Sequence, residues 1–225
     1  MFITFEGIEG SGKSSVLADM RSRLEEKGFD VVATLEPGGS RLGIELRRIL
    51  LDMSSRDLTG ESELFLYMAD RAQHVSQVIR PALEAGKIVL SDRFADSTVA
   101  YQGYGRGLDP ALLHSFNHMA AAALKPDMTM LFDLPAELGL RRAQTRNTVE
   151  RKSMTEGRFE AESITFHERV RQGYLTWAAL NKERFRVIDA AKPLEVVCDT
   201  AWDVLDRELT AQGKIPVAPK TTPFQ

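Results

Sequence analysis

The run Gly7-Ile8-Glu9-Gly10-Ser11-Gly12-Lys13-Ser14 restricts this chain more than any other feature, because it satisfies G-x-x-x-x-G-K-[ST]. A short β-rich apolar stretch, residues 2–5, precedes it. An amphipathic stretch, residues 14–27, follows, with Leu17, Met20 and Leu24 on one helical face before Gly28 stops it. Strand, glycine turn and helix in that order gather backbone N–H groups around an anion at the positive end of a helix. The loop and Ser15 after it are therefore expected to bind ATP, with Lys13 reaching the β/γ-phosphates and the Ser14 hydroxyl ligating Mg²⁺. A glycine-rich turn carrying a solvated lysine is the plainer alternative.

Apolar and amphipathic runs alternate beyond the loop. Residues 30–35 read as a strand ended by Pro37-Gly38-Gly39, and residues 61–83 as a long helix that Pro81 kinks or ends. Residues 87–91 suit a strand covered on both faces. Asp109-Pro110 caps a helix running to about residue 124, and Pro135 and Pro193 open helices after strands at 128–132 and 185–188. The fold class predicted is α/β, a five-stranded parallel sheet flanked by helices. One domain over residues 1–212 is expected, followed by a flexible tail, 213–225, with three prolines.

Charge and cysteine content narrow the function. Lys and Arg number 29 against 32 Asp and Glu, a net charge of -3, which argues against a nucleic-acid partner. Cys198 is the only cysteine, so a reducing compartment is expected. No apolar run reaches membrane-spanning length, and the first residues lack a secretory pattern, so a cytoplasmic protein without a membrane partner is expected.

Among phosphate-loop functions, a guanine-reading segment is missing: Asn181-Lys182-Glu183-Arg184 lacks the aspartate. The strand at 87–91 leads into Asp92-Arg93, which suggests an acid near Mg²⁺ and an arginine on a phosphate; a surface ion pair is the alternative. No Ser/His/Asp triad is evident, and the four histidines have no assigned work.

Phe5-Glu6-Gly7-Ile8-Glu9-Gly10, Glu36-Pro37-Gly38-Gly39, Ala69-Asp70-Arg71-Ala72-Gln73-His74 and Asp92-Arg93-Phe94 resemble successive motifs of thymidylate kinases. So do Ser97-Thr98, Ala100-Tyr101-Gln102-Gly103, Gly105-Arg106-Gly107 and Gly157-Arg158-Phe159-Glu160. The resemblance implies a nucleoside-monophosphate-kinase fold with a short lid at about 142–160, transfer of the ATP γ-phosphate to dTMP, and a homodimer. Tyr67 would stack on thymine, Arg71 would bond its carbonyl and Thr98 would touch its edge. Tyr101 would lie beside the deoxyribose and Glu9 would hold the 3′-hydroxyl. Pro37, Arg47 and Arg93 would shape the acceptor-phosphate pocket, and Gln102 and Glu160 complete the acceptor set. Lys13, Arg93, Arg146 and Arg151 would serve the transferred phosphoryl group, with Lys152 and Arg158 as the other lid candidates, and Ser14 and Asp92 would lie at the metal. Tyr67 also fits a core register, and Asp189-Ala190-Ala191-Lys192-Pro193 reads equally as an adenine-side loop or a plain turn. A kinase of another nucleoside monophosphate and a non-catalytic ATP-binding module remain the rival readings.

Residues 141–171 carry eight basic side chains against five acids, a local excess expected of a mobile, arginine-bearing lid. Three positions depart from the family pattern. Gly10 stands where some members have arginine, Gly157 where many have aspartate, and Leu35 where arginine often precedes Glu36-Pro37.

Overall fold

A computed structural model describes residues 1–149 and 155–213. Five strands, β1 (Phe2–Glu6), β2 (Val31–Leu35), β3 (Ile88–Asp92), β4 (Met128–Asp133) and β5 (Phe185–Asp189), form one parallel sheet in the order β2-β3-β1-β4-β5. The three central strands are buried almost throughout, because helices cover both faces of a parallel sheet. The edge strands β2 and β5 are only partly buried.

Helix α1 (Lys13–Glu26) turns Val16, Leu17, Met20 and Leu24 inward against Ile3, Phe5 and Leu90 and against Leu205 and Leu209 of α9 (Leu194–Ala211). Truncating a fully buried leucine such as Leu24 to alanine costs about 2–5 kcal/mol. A smaller cluster of Phe2, Val75, Ile79, Val89 and Phe94 includes an edge-to-face ring pair, Phe2–Phe94, at 4.9 Å.

The expected helix over 61–83 is three consecutive helical segments: α3 (Gly60–His74), a π-helical turn Val75–Ile79, and α4 (Arg80–Glu84). The wider turn sits where the Pro81 ring would meet the carbonyl of Gln77 in a regular helix, so the chain widens there. Helix α2 (Arg41–Leu51), capped by Ser40, was not anticipated; α8 (Ile164–Leu180), capped by Ser163, ends at Asn181, where the sequence before the last strand reads as a helix end. Between β3 and β4 lie α5 (Ala95–Thr98), a second π-helical stretch Val99–Gly105, and α6 (Pro110–Ala120), whose N-cap Asp109 accepts from Ala111 N. After β4, α7 (Ala136–Val149) carries the start of the expected lid. The expected tail lies outside the described residues from 214 onward.

Candidate functional site

The chain segments following β1, β2 and β3 border a cleft of about 530 Å³. Its donor end is the glycine loop. Gly12 has φ 87°, a left-handed conformation that a side chain would strain, and its carbonyl accepts from Ser15 N and Val16 N to start α1. Gly10, at φ 69°, packs so closely on α7 that a Cβ there would overlap the Gly139 carbonyl. A longer side chain at this position would meet the backbone of α7. Glu9, Gly10, Ser11, Gly12, Lys13, Ser14 and Ser15 all line the cleft, whereas Gly7 and Ile8 stand behind it.

All three N–H groups of the Lys13 ammonium are engaged within the loop. They donate to Gly7 O at 3.0 Å, Ile8 O at 2.8 Å and Ser11 Oγ at 3.1 Å. Burial, aided by the charge of Arg93, pulls the Lys13 pKa down to about 8. Ser14 Oγ donates to Asp92 Oδ2 at 2.6 Å, which brings two hard oxygens together at the end of β3.

The acceptor end is prebuilt around Arg71, only 1% exposed. Its Nε donates to Glu36 Oε2 at 2.9 Å, Nη1 to Thr98 Oγ1 at 2.9 Å and Asn117 Oδ1 at 2.5 Å, and Nη2 to Phe94 O at 3.1 Å. Among the described residues this leaves one Nη2 hydrogen for the cleft. His74 bonds the other oxygen of Glu36 at 2.9 Å, so the carboxylate is held from both sides. Half-buried Tyr67 lines the same wall, and burial pushes its hydroxyl pKa up. Gln102 Nε2 donates to the buried Glu63 at 2.8 Å, which commits the amide nitrogen and leaves the amide oxygen for the cleft. Leu35 adds an apolar wall beside Pro37.

Arg93 lies between the two ends, its backbone at φ 72°. Its Nη1 donates to Gly7 O at 3.0 Å, and its Nη2 to Glu9 Oε1 and the Tyr101 hydroxyl, both at 3.0 Å. The Tyr101 hydroxyl in turn donates to Glu9 Oε1 at 2.6 Å, and the guanidinium lies 4.9 Å over the Tyr101 ring. Burial alone would raise the Glu9 carboxyl, but the His167 ring and the Arg93 charge hold it well below the usual carboxylate range. Behind this group, burial and then the charge of Asp96 push Glu6 up to about 7.

Part of the basic excess over residues 141–171 is taken up in packing. Arg158 is buried, donating to Leu50 O and, at 2.6 Å, to Glu63 Oε2. Arg169 donates to Gly105 O at 2.9 Å, and Arg171 forms a forked pair with Asp133 at 2.7 and 2.9 Å. Arg142 and Arg146 do line the cleft. Arg146 is half-exposed and bonds Asn147 Oδ1 and, at 3.3 Å, Glu160 Oε1. Burial and the nearby Glu9 raise the Glu160 carboxyl. Arg47 donates to Pro37 O at 3.0 Å and Glu156 Oε2 at 3.2 Å. Arg151 and Lys152 lie outside the described residues.

Three residues of this region escaped the sequence reading. Arg142 donates to Ala190 O at 2.8 Å, linking α7 to the loop after β5, and Glu156 pairs with Arg47. His167, read as having no work, lies 3.3 Å from Glu9 Oε2 across 158 positions of chain, a distance no local pattern reveals.

A family model described as thymidylate kinase matches residues 5–201. A thymidylate kinase of Oleidesulfovibrio alaskensis is 69% identical over 191 residues, covering 85% of this chain and 90% of that protein. One of Maridesulfovibrio salexigens is 61% identical over 208 residues, covering 92% and 96%. The crystal structure of thymidylate kinase from Ehrlichia chaffeensis superposes with a TM-score of 0.72 at 33% identity, covering 92% of this chain and 98% of that one.

Proposed function

The chain belongs to the thymidylate kinase family, and from that premise we propose how its cleft divides the work of phosphoryl transfer. The reaction moves the γ-phosphate of ATP to dTMP and gives ADP and dTDP. ATP sits with its phosphates on the loop, where Lys13 turns from its own carbonyls to the β/γ-phosphates. Ser14 and Asp92 are the residues that would hold Mg²⁺, and two hard oxygens beside a phosphate loop fit an ion that keeps few protein ligands. Bound there with ATP, the ion neutralises charge on the phosphate oxygens.

Thymine stacks on Tyr67, its carbonyl accepts the remaining Arg71 N–H, and Thr98 and Gln102 border its edge. Tyr101 and Glu9 take the deoxyribose, and Pro37, Arg47 and Arg93 take the acceptor phosphate, with Glu160 at the rim. A phosphate monoester with a second pKa near ~6 is largely dianionic at neutral pH, so no general base is required. What remains is bringing two anions together, which fixed and approaching cations accomplish. Arg93 exchanges Glu9 for phosphate, and Arg146, with Arg151 from the segment 150–154, closes over the γ-phosphoryl group as the lid descends.

The observation that carries this reading is one continuous cleft lined by Lys13 and Ser14 at one end and by Tyr67, Arg71 and Thr98 at the other. Further proposals concern its setting. Exposed Ile44, Phe65, Leu112 and Met119 on the neighbouring helices α2, α3 and α6 support a homodimer, which sedimentation velocity checks. Its lone, buried Cys198 suits the cytoplasm.

ADP release coupled to a panel of nucleoside monophosphates tests the assignment. Saturable turnover with dTMP is expected, with dUMP about tenfold or more worse in kcat/KM for want of one methyl group. A clear preference for another acceptor, or ATP binding without transfer, overturns it.

A further inference from the structure

The Glu9 carboxylate divides its partners between its two oxygens. Oε1 accepts from Arg93 at 3.0 Å and Tyr101 at 2.6 Å, while among the described residues Oε2 faces the His167 ring, Nδ1 at 3.3 Å. His167 is 1% exposed, and both Glu9 Oε2 and His167 Nε2 are buried without a well-formed hydrogen bond. The ring nitrogen that faces Glu9 is Nδ1, and the ring also meets the Phe159 carbonyl, so His167 and Glu9 form a buried pair held slightly open.

This bears on the proposed reaction because an acceptor phosphate competes with Glu9 for the charge of Arg93. When Arg93 turns away, Glu9 loses the cation on Oε1, and a buried carboxylate without a cation is strongly disfavoured. We propose that His167 is a positioning residue for Glu9: its protonated ring supplies the counter-charge that lets Arg93 leave, and it keeps the carboxylate aimed at the acceptor sugar. The inference rests on the reading of Glu9 as the group that holds the dTMP 3′-hydroxyl. Lys13 and Arg93 on the phosphate side, Tyr101 from the 99–105 stretch, Glu160, and Arg146 of α7 are the other charged or titratable groups around the pair. Burial alone would lower the His167 pKa, but Glu9 outweighs it and the net direction is upward, which favours the charged ring.

His167→Asn keeps a donor near Oε2 and removes the charge. At pH 6.5 it is expected to raise the KM for dTMP about tenfold, the scale of one lost charge-assisted contact, with kcat and the ATP KM within about twofold. The variant-to-wild-type ratio then shrinks toward unity as rising pH removes the proton from the wild-type ring. Ionisations common to both proteins, those of Lys13 and the acceptor phosphate, cancel in that ratio. A 3′-deoxy analogue of dTMP shows little of the penalty. A flat ratio, an equal rise in both KM values, or an equal penalty on the 3′-deoxy acceptor overturns the proposal. Wild-type turnover of dTMP tests the substrate assignment separately, so with it intact a flat ratio overturns His167 alone. Should His167→Asn not fold, imidazole NMR titration of the wild type reads the same coupling. The His167 pKa is expected to rise when dTMP binds, and no change or a fall overturns the proposal.

Discussion

At the acceptor end, Arg71 is 1% exposed and gripped by Glu36, Thr98, Asn117 and the Phe94 carbonyl; at the donor end, Arg146 is half-exposed and, among the described residues, bonded to Asn147 and Glu160. Glu63 and Glu36 anchor the acceptor wall from inside the protein, whereas Lys13 and Arg93 rest on loop carbonyls and on Glu9. The difference follows the chemistry. A neutral base presents the same edge before and during transfer, so the groups that read it can be locked in advance. In the proposed reaction the charge distribution of the transition state arises only with both nucleotides present, so the cations that meet it rest on internal acceptors beforehand.

That contrast makes separable predictions. Lys13→Met should lower kcat by about 1,000-fold while changing the dTMP KM by less than about threefold. Steady-state kinetics with each substrate varied checks it, and a spared kcat would break the contrast. Arg71→Met leaves Glu36 buried without its arginine, which costs about 3–5 kcal/mol and so about 10 °C in Tm by calorimetry. An unchanged Tm would mean the acceptor wall is not prebuilt. Arg93→Ala should cut kcat/KM by at least about tenfold, with a smaller loss of Tm than Arg71→Met.

The smallest effect concerns pH. In the folded, ligand-free chain the Lys13 pKa is about 8, below the ordinary value of 10.5. Between those values the unfolded chain binds more protons, so wild-type stability rises with pH through this window. Scans at pH 8 and 10 should show the wild type gaining about 3 °C on Lys13→Met.

The sheet was legible because each central strand is an unbroken apolar run, and the loop because its glycines and Lys13 are contiguous. Helix α2 was not, since exposed Leu42, Ile44 and Ile49 blur the stripe formed by buried Leu46 and Leu50. Arg71, Tyr67 and Thr98 were assigned by motif, and the fold puts all three on one wall of the cleft. Which basic residues stay available was invisible, because Arg158 is consumed by Glu63 and Arg171 by Asp133, 95 and 38 positions away. Partners so distant leave no local spacing to read.

The contact between Gly10 and Gly139 also limits the order in which this enzyme could change. Any residue larger than glycine at position 10 intrudes on the backbone of α7, so an arginine installed there alone would push that helix off the loop. A lineage or a designer moving the phosphate-facing cation into the loop would first have to re-seat α7. Positions 10 and 139 are thereby bound to change together, and the proposed use of arginines from α7 onward would be hard to reverse by any single step.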